Sequence, residues 1–263
     1  MSRFSILIQV AACAAALNTL PSAFCQLKSD SSVPRTREGK PDLSGMWNAP
    51  IGGAIYDIEP HVAVFGIQPS DKGIVVGGKI PYQPWAQEQV AKNLAHPADD
   101  PEVHCMMPGV PHHLYIGPLL LVQTPKVITF LHEYRHSYRV IYMDRREHLE
   151  DYSAWEGDSI GHWDGDTLVV DVANLNGKAR LDMAGNFYSD AARIVERYTR
   201  TNLNTIQYEA TIEDPKVYTR PWKMAFHFEL QHDMIYEEEC LEGERDLQHY
   251  PAGATLPGQH PRQ

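Results

Sequence analysis

The sequence has no Gly-rich phosphate loop, no C-x-x-C pair and no G-x-S-x-G elbow. Those gaps argue against a nucleotide site, a dithiol redox centre and a serine-hydrolase elbow. A basic patch is missing too. The formal net charge is −11, and it becomes −12 once Arg3 is removed with the leader. Such a surface repels phosphate backbones and anionic lipid, so no nucleic-acid partner is expected. Long apolar runs are scarce, and the one present stands at the very start. Arg3 followed by "FSILIQVAACAAAL", then Asn18, Pro21 and small residues, has the layout of a secretory signal peptide over residues 1–25. Cleavage falls after Ala23 or after Cys25; a lipoprotein reading of Cys25 is a separate alternative, with Phe24 an awkward residue just before a lipidated cysteine. No later stretch could serve as a transmembrane anchor. The expected location is therefore secreted or periplasmic.

Cysteine is rare: of four, only Cys105 and Cys240 lie well inside the mature chain. An even pair in an oxidising compartment invites a disulfide. Two buried free thiols are the alternative.

What is present divides the mature chain by texture. Residues 26–40 are polar and aperiodic, a flexible lead-in. Residues 41–125 are punctuated by proline and glycine and read as a loop-rich wrapping segment. Within it only "QPWAQEQVAKNLAHP" can hold a helix, which Pro97 ends. From 126 to 245 β-branched and aromatic residues dominate. "KVITFLHEY", "SYRVIYMD", "SIGHW", "TLVVDV", "ARIVERYTR", "TIQYEATIE", "WKMAFHFEL" and "MIYEEEC" read as strands, with Asp164-Gly165 as a hairpin turn. Trp222, Met224, Phe226, Phe228 and Leu230 share one face, opposite Lys223, His227 and Glu229. Six to eight such strands predict a mainly β, antiparallel meander closed as a barrel or folded as a sandwich. Residues 246–263 form a C-terminal tail. The echo of "WEGDS" and "WDGDT" reads as two turns bracketing one short strand, since the spacing of a calcium loop is absent.

Residues 132–136 read His-Glu-Tyr-Arg-His, an H-E-x-x-H pattern that on a helix would make a zinc hydrolase. A helix would place His132 and His136 about 6 Å apart. A strand separates them by about 13 Å, too far for one ion. The surrounding β-formers favour strands, no capping box precedes them, and the metzincin continuation is missing. Glu147, Glu150 and Glu156 are the remaining third-ligand candidates, in turn-like sequence. The expectation is no metal, with the zinc hydrolase kept as the lesser alternative. On a continuous strand Ile128, Phe130, His132, Tyr134, His136, Tyr138 and Tyr142 would share a face, against Glu133, Arg135 and Arg139. That aromatic face with two imidazoles suggests a pocket wall.

Together "PDLSGMW", "YQPWA", "DPEVHCMMPGVP", "QTPKVITFLHEY", "WEGDSIGHWDGDTLVVDV", "SDAARIVERYTR" and "YEATIEDPKVYTRPW" resemble a family of secreted bacterial proteins, frequent in acidobacteria and some proteobacteria. The resemblance covers roughly residues 41–245. It implies a calycin-like, lipocalin-type β-barrel, and it implies no particular reaction. Relatives often carry His-Ser-Asp before the E-R-x-T-R strand. Here Tyr188-Ser189-Asp190 stands instead, which puts any role of that histidine in doubt. Gly45-Met46-Trp47 also resembles the G-x-W that opens lipocalin barrels.

In such a barrel the candidate catalytic residues are His136, Arg139, Asp190 and Glu196. The candidate ligand-binding residues are Phe130, His132, Tyr134, Tyr138, His162 and Tyr208, with Asp144 near the mouth. A histidine beside a carboxylate can act as general base, and an arginine or tyrosine can hold a developing oxyanion. This predicts a pocket for a small organic molecule, apolar or aromatic, with a cofactor-independent lyase, isomerase or hydrolase as one reading. A non-catalytic binding protein is the other. The adjacent pair His112-His113 reads as surface or loop, with room for metal binding.

Overall fold

A computed structural model describes residues 32–63, 69–70, 73–145 and 147–243. The signal peptide (1–25), residues 26–31 of the lead-in and the 246–263 tail fall outside them. Nine strands form one closed barrel in sequence order: β1 (Gly45–Asn48), β2 (Leu119–Gln123), β3 (Val127–His132), β4 (Tyr138–Tyr142), β5 (Asp158–Asp164), β6 (Thr167–Ala173), β7 (Arg193–Arg200), β8 (Thr205–Glu213) and β9 (Trp222–Gln231). Neighbours are antiparallel except β4 and β5, which pair in parallel through Ile141↔Ser159 and Tyr142↔Ile160. The chain is mainly β, as its alternation predicts.

Two boundaries differ from the sequence reading. The barrel begins before residue 126, because β1 and β2 come from the loop-rich segment and β1 closes the ring against β9. "MIYEEEC" is no strand: residues 234–239 run irregularly outside the barrel. The helix α1 (Pro84–Ala95) stands where expected, with proline in its first turn and His96 as its last cap before Pro97.

Alternation builds the core. β9 buries Trp222, Met224, Phe226 and Phe228 and exposes Lys223, Ala225 and Glu229. β7 buries Ile194, Glu196, Tyr198 and Arg200, and β8 buries Ile206, Tyr208, Ala210 and Ile212. Each large apolar side chain so removed from water contributes about 1.5–3 kcal/mol.

Strand directions give the barrel two unlike ends. The short β2–β3, β5–β6 and β7–β8 turns gather at one. There Arg200 lies 5.0 Å over the Trp47 ring and donates to the carbonyls of Asp42, Asn202 and Leu203. Trp47 Nε1 donates to the Leu43 carbonyl at 2.9 Å, so this end is plugged. The opposite end receives the β1–β2 connection (49–118), the β3–β4 hairpin, the chain entering β5, and the β6–β7 and β8–β9 connections. The long N-terminal segment thus serves as a cap over one mouth.

The "WEGDS" echo is a turn before β5, and "WDGDT" is the hairpin after it, as expected. Gly157 has φ +62°, and a Cβ there would sit 2.5 Å from the Ala173 carbonyl oxygen. Backbone cannot yield at that spot, so Gly157→Ala should cost about 2 kcal/mol or more in chemical denaturation. A loss below 0.5 kcal/mol would show that this turn relaxes freely.

Candidate functional site at the capped end of the barrel

Arg139 and Glu196 meet in the barrel interior. Glu196 is fully buried, and its Oε1 accepts from Arg139 Nη1 (3.2 Å), Tyr198 OH (3.0 Å) and Tyr208 OH (2.9 Å). Arg139 Nε donates to Ser159 Oγ at 3.0 Å, and its second Nη grips the other Glu196 oxygen. Burial opposes the charge on Arg139, but Glu196 outweighs it and raises the guanidinium pKa further. Burial first, and the Glu196 charge second, push both phenols well above their ordinary range. Phe130 packs edge-on to Tyr198 (5.5 Å), and Tyr208 lies 4.5 Å from Phe226. Every polar atom of this ion pair's carboxylate has a partner.

Toward the capped end the bonding is less complete. A turn containing the cis Val110–Pro111 peptide leads into the short 3-10 helix His112–Leu114. His113, fully buried, places Nδ1 2.7 Å from Glu156 Oε1 and Nε2 2.9 Å from the Tyr134 carbonyl. Both neighbours are hydrogen-bond acceptors. His132 stacks on it with ring centroids 3.8 Å apart. Burial, then the neighbouring His113 and Arg139, push the His132 pKa well below 6.5 and keep that ring neutral.

Four buried polar atoms here make no well-formed hydrogen bond: both His132 nitrogens (although the ring faces the His113 backbone), Glu156 Oε2 and the Tyr188 hydroxyl. Burial raises the Tyr188 pKa, with Glu156 the next contributor and Arg139 opposing. The phenol is therefore a proton donor in hydrogen bonds. Its loop is fixed from β8–β9, because Ser189 N (2.6 Å) and Oγ (3.1 Å) donate to buried Asp214. Unsatisfied buried polar groups cost about 1–3 kcal/mol each, so a concentration of them marks a place for water or ligand. An open groove of about 450 Å³, lined by Leu131, Ser137, Tyr138, Tyr236 and Glu239 among others, has His132 in its wall. His132 is its most buried wall.

Several predicted site residues lie elsewhere. The H-E-x-x-H segment is neither helix nor one continuous strand. β3 ends at His132, and a 3-10 turn, Tyr134–His136, follows with Arg135 (φ 60°) and His136 (φ 27°) in the left-handed region. The turn breaks the two-residue period, so alternation through it fails. Arg139 points inward, and Tyr138 and Tyr142 point outward, Tyr138 with 67% of its surface exposed. His136 is a surface residue whose Nδ1 meets the Glu238 carbonyl at 2.5 Å; it lines only the outer groove. No group of three or more residues suited to a metal occurs among the described residues.

Asp190 is on the surface, 65% exposed and paired with Lys216, so it forms no catalytic couple with buried Glu196. His162 and Asp144 are exposed on the barrel exterior. Tyr134 is half-buried and donates to Glu102 at 3.2 Å instead of lining the interior. Phe130, His132, Arg139, Glu196 and Tyr208 are brought together. Sequence reasoning missed Glu156 and Tyr188 in this role; His112-His113, read as surface or loop, do lie in the β1–β2 connection but are buried there. Two adjacent histidines after a proline turn carry no local sign that distant glutamates await them.

No family model, curated protein or solved structure matches the chain.

Proposed function

We propose that the capped end of the barrel takes a small organic molecule whose polar group enters among His132, Glu156, Tyr188 and Arg139. The observation that carries this reading is the set of four buried atoms without a well-formed hydrogen bond, which includes both nitrogens of one neutral imidazole. A carbonyl oxygen suits the donors: the Tyr188 phenol, a His132 N–H and the Arg139 charge polarise it. Glu156 Oε2 is the available base, with Oε1 already anchored by His113. The chemistry these groups support is proton abstraction beside a carbonyl. Glu156 takes the proton, and the C–H electron pair passes into an enolate held by the donors. Return of the proton to another carbon completes an isomerisation; departure of a β-substituent completes a lyase reaction. The aromatic walls favour an apolar or aromatic body for the substrate.

The Cys105–Cys240 disulfide suits an oxidising compartment. It supports a secreted or periplasmic location, as does the resemblance to a family of exported bacterial barrels. No helix among the described residues is long and apolar enough to cross a membrane.

Deuterium incorporation from D2O into a panel of small carbonyl compounds, followed by NMR, tests the reading. Glu156→Gln should slow exchange of an accepted compound by about 10²–10⁴-fold, with affinity altered less than tenfold. Tyr188→Phe should slow it by a smaller factor. Exchange that survives Glu156→Gln unchanged would remove the acid–base role. Saturable binding without any exchange would identify a carrier instead.

A further inference from the structure

His112 and His113 are adjacent in sequence, yet each pairs with a different glutamate. His113 belongs to the barrel centre. His112 lines a separate pocket of about 220 Å³ beside the 97–103 turns. Half of its lining is apolar, Ile55, Pro97, Val103, Ile116 and Met183, and Arg135 is among the polar half. His112 is 2% exposed, with Nδ1 2.8 Å from Glu102 Oε1 and 3.0 Å from the Arg180 carbonyl. Tyr134 holds the other Glu102 oxygen. Burial disfavours charge on both partners, but their mutual attraction outweighs it: the pKa of His112 is raised and that of Glu102 is lowered.

An imidazolium has two N–H donors. Nδ1 has two acceptors beside it, whereas Nε2 is buried with no protein partner at all. A buried donor left this way costs about 1–3 kcal/mol, which an acceptor atom on a guest would recover. Size and charge narrow the guest. A dry cavity of about 150 Å³ holds one benzene ring, so this pocket suits one ring with a short substituent. The carboxylates of Glu102 and Asp100 in its lining are balanced by Arg135 and His112, so no net charge calls for an ionic guest and an uncharged one suits the site.

We propose that this pocket is a second binding site, for a single-ring aromatic molecule bearing one uncharged hydrogen-bond-accepting oxygen, such as an aryl ketone. It is independent of the centre at His132. The site needs no movement of the barrel, because its lining comes from the cap, the β3–β4 turn and, through Met183, the β6–β7 connection.

Calorimetric titration of the intact protein with acetophenone, and with ethylbenzene as the same shape without oxygen, tests the proposal. Acetophenone should bind saturably and at least tenfold more tightly than ethylbenzene, and it should shift the methyl resonance of Met183. Met183 stands at the rim, about half exposed. Met183→Trp should therefore weaken acetophenone at least tenfold while leaving the melting temperature unchanged. Tyr138→Ala, in the groove that serves His132, should leave acetophenone affinity as in the wild type. A failure of the His132 reading is thereby distinguished from a failure of this one. Absence of saturation, equal affinity for ethylbenzene, or wild-type binding by Met183→Trp would each overturn the proposal.

Discussion

Replacing Glu196 by leucine lowers the unfolding free energy by about 3–5 kcal/mol, the usual cost of stranding one member of a buried ion pair. At roughly 2–4 °C per kcal/mol for a chain of this size, the melting temperature falls by about 10 °C. The reason lies in how many groups Glu196 serves. Its carboxylate neutralises Arg139, which is 2% exposed, and also accepts from Tyr198 and Tyr208. Leucine leaves a guanidinium and two phenols in the barrel interior without that acceptor. Removing both charges together should be milder. The Arg139→Met/Glu196→Leu double variant is expected to recover more than half of the loss, because desolvating a charge is then no longer required. Urea titrations of the four proteins check the cycle. A single variant within 1 kcal/mol of wild type, or a double variant worse than the single, would show that the pair does not organise the core.

That ion pair also shows how far the sequence could be read. Glu196 was legible as an inward residue because "ARIVERYTR" alternates without interruption through β7. Arg139 was assigned to the wrong face for a local reason. Counting by twos from His132 works only while the chain stays extended, and Arg135 and His136 leave the β region between them. From His132, which points in, to Arg139, which also points in, the separation is odd. The same arithmetic misplaced Tyr138 and Tyr142. β2 was hidden by its surroundings, since "LLLVQ" is short and flanked by Gly117, Pro118 and Pro125. "MIYEEEC" has strand-like residues at its start, but a closed ring has no free edge for it to join. The site suffered most. Glu102, ten residues before His112, and Glu156, forty-three after His113, are united with them only by the cap. Long-range pairing of this kind leaves no periodic trace in a single sequence.

The cysteine pair, by contrast, was legible from its number and the expectation of export alone, and it carries the second large effect. Cys105 and Cys240 are joined across 135 residues, a loop that encloses β2 to β9. In the unfolded chain that bridge removes much of the conformational freedom of the barrel, an effect of about 2–5 kcal/mol for loops of this length. The Cys105→Ser/Cys240→Ser variant should therefore lose that much stability in urea.

A local consequence should accompany it. Residues 233–239 lie along the β3–β4 turn, held by Tyr236 N to Glu133 (2.8 Å), Arg135 N to Glu238 (2.5 Å) and the Glu238 carbonyl at His136. These bonds are largely exposed and individually weak, and the disulfide immediately beyond them keeps the strap in place. Without it, amide exchange should accelerate over residues 133–138 and 233–240, at the groove leading to His132, well before the barrel opens. Two observations would count against this account. A global loss below 1 kcal/mol would mean that loop closure contributes little. Unchanged exchange in the strap would mean that its own hydrogen bonds suffice to seat it. If both effects appear, the bridge stabilises the barrel through the unfolded chain and, separately, holds the segment that walls the groove.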